Sequence, residues 1–211
     1  MVFDFHNLQS GTTSINLLGF STFQPEEHYD ILSTDEIKRV ESFRSISRRR
    51  EFVATRVLKS SLFGQEQIEY NEQGAPFIKG HAYISISHSH HMVGIAVNEQ
   101  HMVGLDLEPF RDNILSISPK FLSEREYEVF DTNSKREVTR IWSAKEALYK
   151  LAGRKKVIFK NDLIISKDGD HWTGRIMNPD HELLVNLDIF ERDETIVSVN
   201  ATAVERIETH P

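Results

Sequence analysis

The sequence contains no cysteine. Disulfides are therefore excluded, and so is a thiolate zinc site. No stretch approaches the roughly 18 continuous apolar residues of a membrane-spanning helix. The N-terminus lacks the basic start and apolar run of a secretory signal. These absences set cytoplasmic residence, away from any membrane, as the expectation. An excess of positive charge is also missing: 25 Lys and Arg stand against 32 Asp and Glu, for a net charge of −7. That balance argues against a general nucleic-acid binder, which is usually basic.

What is present is an ordinary globular composition, 39% hydrophobic and 27% charged, over 211 residues. The length serves one large domain or two small ones, with ample core. The acidic average hides two basic runs. One holds Arg48, Arg49, Arg50, Arg56 and Lys59; the other holds Lys145, Lys150, Arg154, Lys155, Lys156 and Lys160. Such runs are either solvated helix faces or local positive patches suited to an anionic ligand or an acidic partner.

Ser33 and Glu36 stand at capping-box spacing and predict a helix over 33–43. A second helix is expected from Ser47 to Leu62, stopped by Gly64. Short strands are predicted at 68–70, 75–78 and 83–86, divided by Gly74 and Gly80. Next comes a near-repeat, HMVGIAV at 91–97 and HMVGLDL at 101–107. Both copies alternate with period two around Asn98-Glu99-Gln100, which predicts a hairpin. In the second copy Asp106 and Glu108 share one face and Val103, Leu105 and Leu107 the other. Ser123 with Glu126, and Ser134 with Glu137, are two further capping boxes, opening helices over 123–131 and 135–152. On the latter, Ile141, Ala144, Leu148 and Leu151 form the apolar stripe, while Trp142, Glu146 and Lys150 lie on another face. Strands are expected at 163–166, 172–177, 183–190 and 195–203.

The halves echo each other, with Phe52 to Leu58 aligning with Trp142 to Leu148. The echo predicts an α+β pseudo-dimer of two similar lobes, 1–101 and 102–211, with Asp106 just past the boundary, where a cleft is expected.

The segment around Lys145, Glu146 and Lys150 and the strand carrying Asp106 and Glu108 together offer three carboxylates and two lysines. Mg²⁺ prefers carboxylate oxygens and shares ligand phosphates, so this set suits a divalent cation and a phosphate-bearing ligand. Glu146 and Lys150 taken alone are also a simple i,i+4 helix pair. Ser87, His88, His90 and His91 concentrate hydroxyls and imidazoles nearby. A zinc site there is disfavoured, because only His88 and His90 share a strand face and no cysteine supports it. Donors aimed at phosphate oxygens need no metal.

In order and spacing, ISHS at 86–89, VGLDLEP at 103–109 and WSAKEALYK at 142–150 resemble the three signature motifs of the 4′-phosphopantetheinyl transferases, most of all the Sfp-like (surfactin-synthetase-activating) class. EQGAPFI at 72–78 is similar to the family's Gly-Lys-Pro element, and RRREFVATR at 48–56 to its first-lobe helix. The resemblance implies two α+β lobes with coenzyme A in the cleft between them. It implies Mg²⁺ held by Asp106, Glu146 and Glu108, and coenzyme A contacts from Ser87, His88, Arg39, Ala75, Pro76 and Lys150. Where the family has the Lys of Gly-Lys-Pro this sequence has Ala75, so a contact to the cofactor is altered; Arg39, Arg50 and Lys79 are candidates to replace it.

The implied reaction moves 4′-phosphopantetheine from coenzyme A to a serine of an apo acyl or peptidyl carrier protein and releases adenosine 3′,5′-bisphosphate. Glu146 and Lys150 are the implied catalytic residues, Glu146 being the preferred base for the serine proton. Arg48 to Arg50 and Lys155 to Lys156 are placed to steer an acidic carrier. The internal echo favours a monomer. Two other activities stay open: a metal-dependent phosphodiesterase using water, and a non-catalytic binder of coenzyme A or carrier.

Overall fold

A computed structural model of the chain describes residues 3–80, 83–153, 156–179 and 181–208. The chain begins with an antiparallel hairpin, β1 (Phe3–Ser10) and β2 (Thr13–Phe20). A 3₁₀ segment, Pro25–Ile31, leads into α1 (Thr34–Ser42) and α2 (Ile46–Phe63). A small hairpin, β3 (Glu69–Tyr70) and β4 (Pro76–Phe77), precedes β5 (Tyr83–His88) and β6 (Met92–Asn98). The second half runs β7 (Leu105–Pro109), α3 (Ile114–Ile117), α4 (Glu124–Val129), α5 (Lys135–Leu151) and α6 (Phe159–Asp162). It closes with β8 (Leu163–Asp168), β9 (His171–Met177), β10 (His181–Arg192), β11 (Thr195–Asn200) and β12 (Glu205–Glu208).

The architecture is α+β, as expected. One sheet has the order β1-β2-β6-β5; the other has β7-β11-β10-β9-β8, with β12 added on β10. The two sheets pack face to face. Ile15 and Leu17 of β2, Met92 and Ala96 of β6, and Leu105 and Val197 of the second sheet share one buried cluster. The outer face of the first sheet packs against α2, through Leu18, Val93 and Ile95 on the sheet and Val53, Ala54 and Leu58 on the helix. The outer face of the second sheet packs against α5, through Ile141, Ala144 and Leu148. The layers therefore run helix, sheet, sheet, helix. Ala54 and Leu58 of α2 pack in the cluster with the first sheet, and Ala144 and Leu148 of α5 in the cluster with the second.

Double coverage explains why β2 is buried along nearly its whole length, Asn16 included. It also corrects the predicted hairpin. β6 pairs with β2 and β5, whereas β7 pairs with β11, so the two HMVG copies belong to different sheets. Asn98 Oδ1 accepts the N–H groups of Gln100 and His101, turning the chain out of β6. Asn200 then accepts from the Gly104 N–H and donates to the Met102 carbonyl, fixing the entry to β7. Both copies bury one face in the same inter-sheet layer, and this is why their patterns look alike.

Local signals hold in most places. The capping boxes at Ser33/Glu36 and Ser123/Glu126 are both complete. At Ser134 only half the box forms: its hydroxyl accepts from the Glu137 N–H, while the Glu137 carboxylate pairs with Arg140 and Lys167. Strand 195–203 ends earlier than predicted, at Asn200. Among the described residues no helix is long and apolar enough to cross a membrane.

Candidate active site

β7 is the edge strand of the second sheet, and its free edge lies against β5. The N–H groups of Leu105 and Leu107 find no strand partner there and donate instead to the hydroxyls of Ser85 (2.9 Å) and Ser87 (3.1 Å). The period of two then sends Leu105 and Leu107 into the inter-sheet core and Asp106 and Glu108 to the opposite face, toward α5. α5 lies close because Gly104 has no side chain: a Cβ there would stand 2.3 Å from the Ala147 carbonyl oxygen.

The result is a cavity of about 540 Å³ at the seam of the two sheets. Its walls include Ser87, His88, Asp106, Glu108, Glu146 and Lys150, six of the residues singled out in the sequence. Glu51, His88 and Ile86 also line a second, smaller pocket together with Arg39, Phe52 and Tyr70, so a single groove runs from the carboxylates to Arg39. The Arg39 guanidinium lies 5.9 Å from the ring centre of Phe52 and 5.4 Å from that of Tyr70. Ala75 and Pro76 line neither pocket. They sit in the β3–β4 hairpin, where Asn71 Oδ1 accepts the Ala75 N–H and Pro76 pairs with Tyr70.

Lys150 is the hub of the carboxylate end. Its ammonium donates to Asp106 Oδ1 (3.1 Å), Ser87 Oγ (3.1 Å) and the Leu105 carbonyl. Ser87 in turn donates to Asp106 Oδ1 at 3.2 Å, so its hydroxyl is engaged on every side. Asp106 Oδ2 is buried without a hydrogen-bond partner. Glu108 is held by the Trp142 indole N–H and by Arg111, both 3.0 Å from Oε2. Burial, and then the neighbouring Asp106 charge, push the Glu108 pKa up to about 7. Trp142 is itself fixed by stacking on Phe159 and by contact with Phe121. His88 is placed between Arg48 and Glu51, and desolvation lowers its pKa against the pull of the Glu51 carboxylate.

Two expectations need correction. Lys145 does not join Lys150 at the site. Five residues separate them, roughly 140° around the helix, and Lys145 is fully buried on the far side, bonded to Glu126 (2.7 Å) and to the carbonyls of Phe121 and Phe159. The arginine run is also divided. Arg48 and Arg56 line the groove, while Arg49 donates to the Phe43 and Glu41 carbonyls and Arg50 to that of Phe23. Arg50 is thus held at the Phe23 carbonyl rather than placed to substitute for the missing lysine, and Arg56 and Lys59 are buried. Arg154 and Lys155 lie outside the described residues. His88 and His90 face the cavity, but His91 turns away to the Asp193 carbonyl on the β10–β11 turn.

Sequence reasoning missed Glu51 and Arg111. Each stands three residues from a charged partner, Arg48 and Glu108, and that spacing was the available signal.

Among the described residues no three His, Cys, Asp or Glu side chains come together as a ready-made metal cage. The donor chemistry nonetheless fits a hard divalent cation that shares its ligands with a phosphate. Asp106 offers a buried, unpartnered oxygen, and Glu108 and Glu146 line the same wall.

Residues 102–194 match the family model of the 4′-phosphopantetheinyl transferase superfamily. The 4′-phosphopantetheinyl transferase HetI of Nostoc sp. (strain PCC 7120) is 29% identical over 170 residues, 70% of this chain and 72% of that protein. The 4′-phosphopantetheinyl transferase gsp of Aneurinibacillus migulanus is 29% identical over 102 residues, 46% of this chain and 43% of that protein. Residues 102–194, the stretch that holds Asp106, Glu108, Glu146 and Lys150, are thus similar to the 4′-phosphopantetheinyl transferase superfamily.

Proposed function

We propose that this protein transfers the 4′-phosphopantetheine group of coenzyme A to a serine hydroxyl of an apo acyl or peptidyl carrier protein. In this reading it is an Sfp-like, Mg²⁺-dependent, monomeric, cytoplasmic enzyme with lobes 1–101 and 102–211. The observation that carries the reading is the buried, unpartnered Asp106 Oδ2, set in one cavity wall with Glu146 and Lys150 and inside the matched span.

Asp106 and Glu146, with Glu108, would hold Mg²⁺. When bound, the ion supplies charge neutralisation at the pyrophosphate. The serine oxygen attacks the β-phosphorus of coenzyme A, a new P–O bond forms, and adenosine 3′,5′-bisphosphate leaves with the bridging oxygen. Little covalent chemistry is asked of the protein, so positioning and electrostatics dominate. Lys150 already spends its protons on three oxygen acceptors. It therefore acts as a fixed positive charge beside the transferred phosphate, and Glu146 is the base for the serine proton. Ser87 holds Asp106 and Lys150 in register, and His88 lies open to a phosphate. Farther along the groove Arg39, over Phe52 and Tyr70, suits the 3′-phosphate side of coenzyme A. Ala75 and Pro76 stand behind Tyr70 and shape that end rather than contribute charge.

The test is to supply coenzyme A and Mg²⁺ with several apo carriers and to quantify adenosine 3′,5′-bisphosphate. Release that requires a carrier supports the transferase. Release without any carrier indicates hydrolysis, and no release with any carrier contradicts the proposal.

A further inference from the structure

Each carboxylate of the Asp106/Glu108 pair carries its own cation, and the two cations are held very differently. Lys150, on Asp106, has a side chain only 14% exposed and is also tied to the Leu105 carbonyl and Ser87. Arg111, on Glu108, is 48% exposed and stands at the cavity mouth, in the loop that leaves β7. Its hydrogen bond and its ion pair both go to Glu108. The Trp142 indole also donates to Glu108, at the same Oε2, and is an anchor independent of the arginine, so the carboxylate stays in place if the arginine departs.

We propose that Arg111 is a displaceable counter-cation, which occupies Glu108 in the metal-free site, yields it to the divalent ion, and turns outward to an acidic group on the protein acceptor. This rests on the reading of the site as a Mg²⁺-dependent transferase. The physical reason is competition. One carboxylate cannot fully serve a guanidinium fork and a divalent cation together, and the two cations repel at contact range. A half-exposed arginine swings into water at small cost, whereas Lys150 would have to abandon three buried acceptors. An acidic acceptor at the cavity mouth gives the guanidinium a second carboxylate and so draws it off Glu108. Acceptor binding then tightens metal binding, and by linkage the metal tightens acceptor binding to the same degree.

Mn²⁺ serves as the probe. Its affinity is measured by electron paramagnetic resonance for the wild type, Arg111→Ala and Arg111→Lys, each with coenzyme A. Measurements are made with and without a carrier whose acceptor serine is changed to alanine, so that no turnover occurs. The wild type should bind Mn²⁺ about 5-fold or more tightly when the carrier is present. Arg111→Ala should bind it more tightly than wild type on its own and lose the carrier effect; Arg111→Lys, without the fork, should fall between. Equal Mn²⁺ affinity and an equal carrier effect in wild type and Arg111→Ala overturn the inference, as does weaker binding by Arg111→Ala. If the wild type binds no Mn²⁺ with coenzyme A present, the metal-dependent reading itself fails, a result distinct from unchanged variants.

Discussion

Lys150, in the last turn of α5, donates to Asp106 on β7 at 3.1 Å, tying the helix to the strand across the cavity. The bond uses the one carboxylate oxygen also held by Ser87 and leaves the other without a partner. Lys150→Ala should therefore lower kcat by about 10²-fold or more, the usual scale for a positioned proton or charge partner. Lys150→Arg should recover little, because three acceptors converge on a point charge rather than on a fork. Steady-state kinetics on both variants check this.

Glu108 titrates inside the working range. Its folded-state pKa is raised to about 7 from the ordinary 4.5. Between these values the native state holds a proton that the unfolded chain has released, so stability falls as pH rises through that window. Glu108→Gln should accordingly raise the melting temperature of the metal-free protein at pH 8 relative to wild type, with the gain shrinking toward pH 5. Divalent-ion affinity should run the other way in the wild type and weaken as pH drops below about 7, where the carboxylate protonates. Thermal melts and Mn²⁺ titrations across pH 5–8 decide both signs.

Lys145 and Glu126 form a buried pair with neither side chain exposed. Removing the lysine strands a buried carboxylate, although Ser123 and Ile165 still donate to it. Lys145→Ala should cost about 3–5 kcal/mol of stability. Activity per folded molecule should change far less, since the pair stands away from the cavity. Denaturant unfolding beside active-site titration separates the two effects.

Gly104→Ala should disturb the site without touching a reacting group. The new Cβ would meet the Ala147 carbonyl at 2.3 Å and press α5 away from β7. A loss of at least about 1–3 kcal/mol is expected for such overpacking, together with a fall in kcat, because Glu146 and Asp106 sit on the two elements forced apart. Gly94→Ala meets only leucine methyls, at 3.0 to 3.1 Å, and should be milder.

Arg39→Ala should raise the KM for coenzyme A and leave that for the carrier unchanged, because Arg39 lies at the far end of the groove from the carboxylates. Kinetics with each substrate varied in turn test this.

Much of the carboxylate end was legible in the sequence because period-two and helical spacing decide which side chains share a face. Asp106 with Glu108, and Glu146 with Lys150, followed directly from those periods. What periodicity does not encode is the partner of an edge. The HMVG repeat reads as a hairpin, yet its copies diverge into two sheets because each meets a different neighbour across the same core. The hairpin over residues 3–20 went unread for a related reason: covered on both faces, β2 breaks its alternation at Leu17-Leu18, one leucine for each side. Lys145 reads like any helix lysine, since a buried ion pair depends on Glu126, nineteen residues away along the chain. Arg111 escaped because its meaning comes only from the carboxylate it covers.

The most direct test of the central claim is the intact mass of an apo carrier after incubation with coenzyme A and Mg²⁺, beside wild-type protein and beside Glu146→Gln. The account predicts one added phosphopantetheine per carrier with wild type and no addition with the folded Glu146→Gln variant. An unmodified carrier with wild type, or equal modification by both proteins, would contradict it.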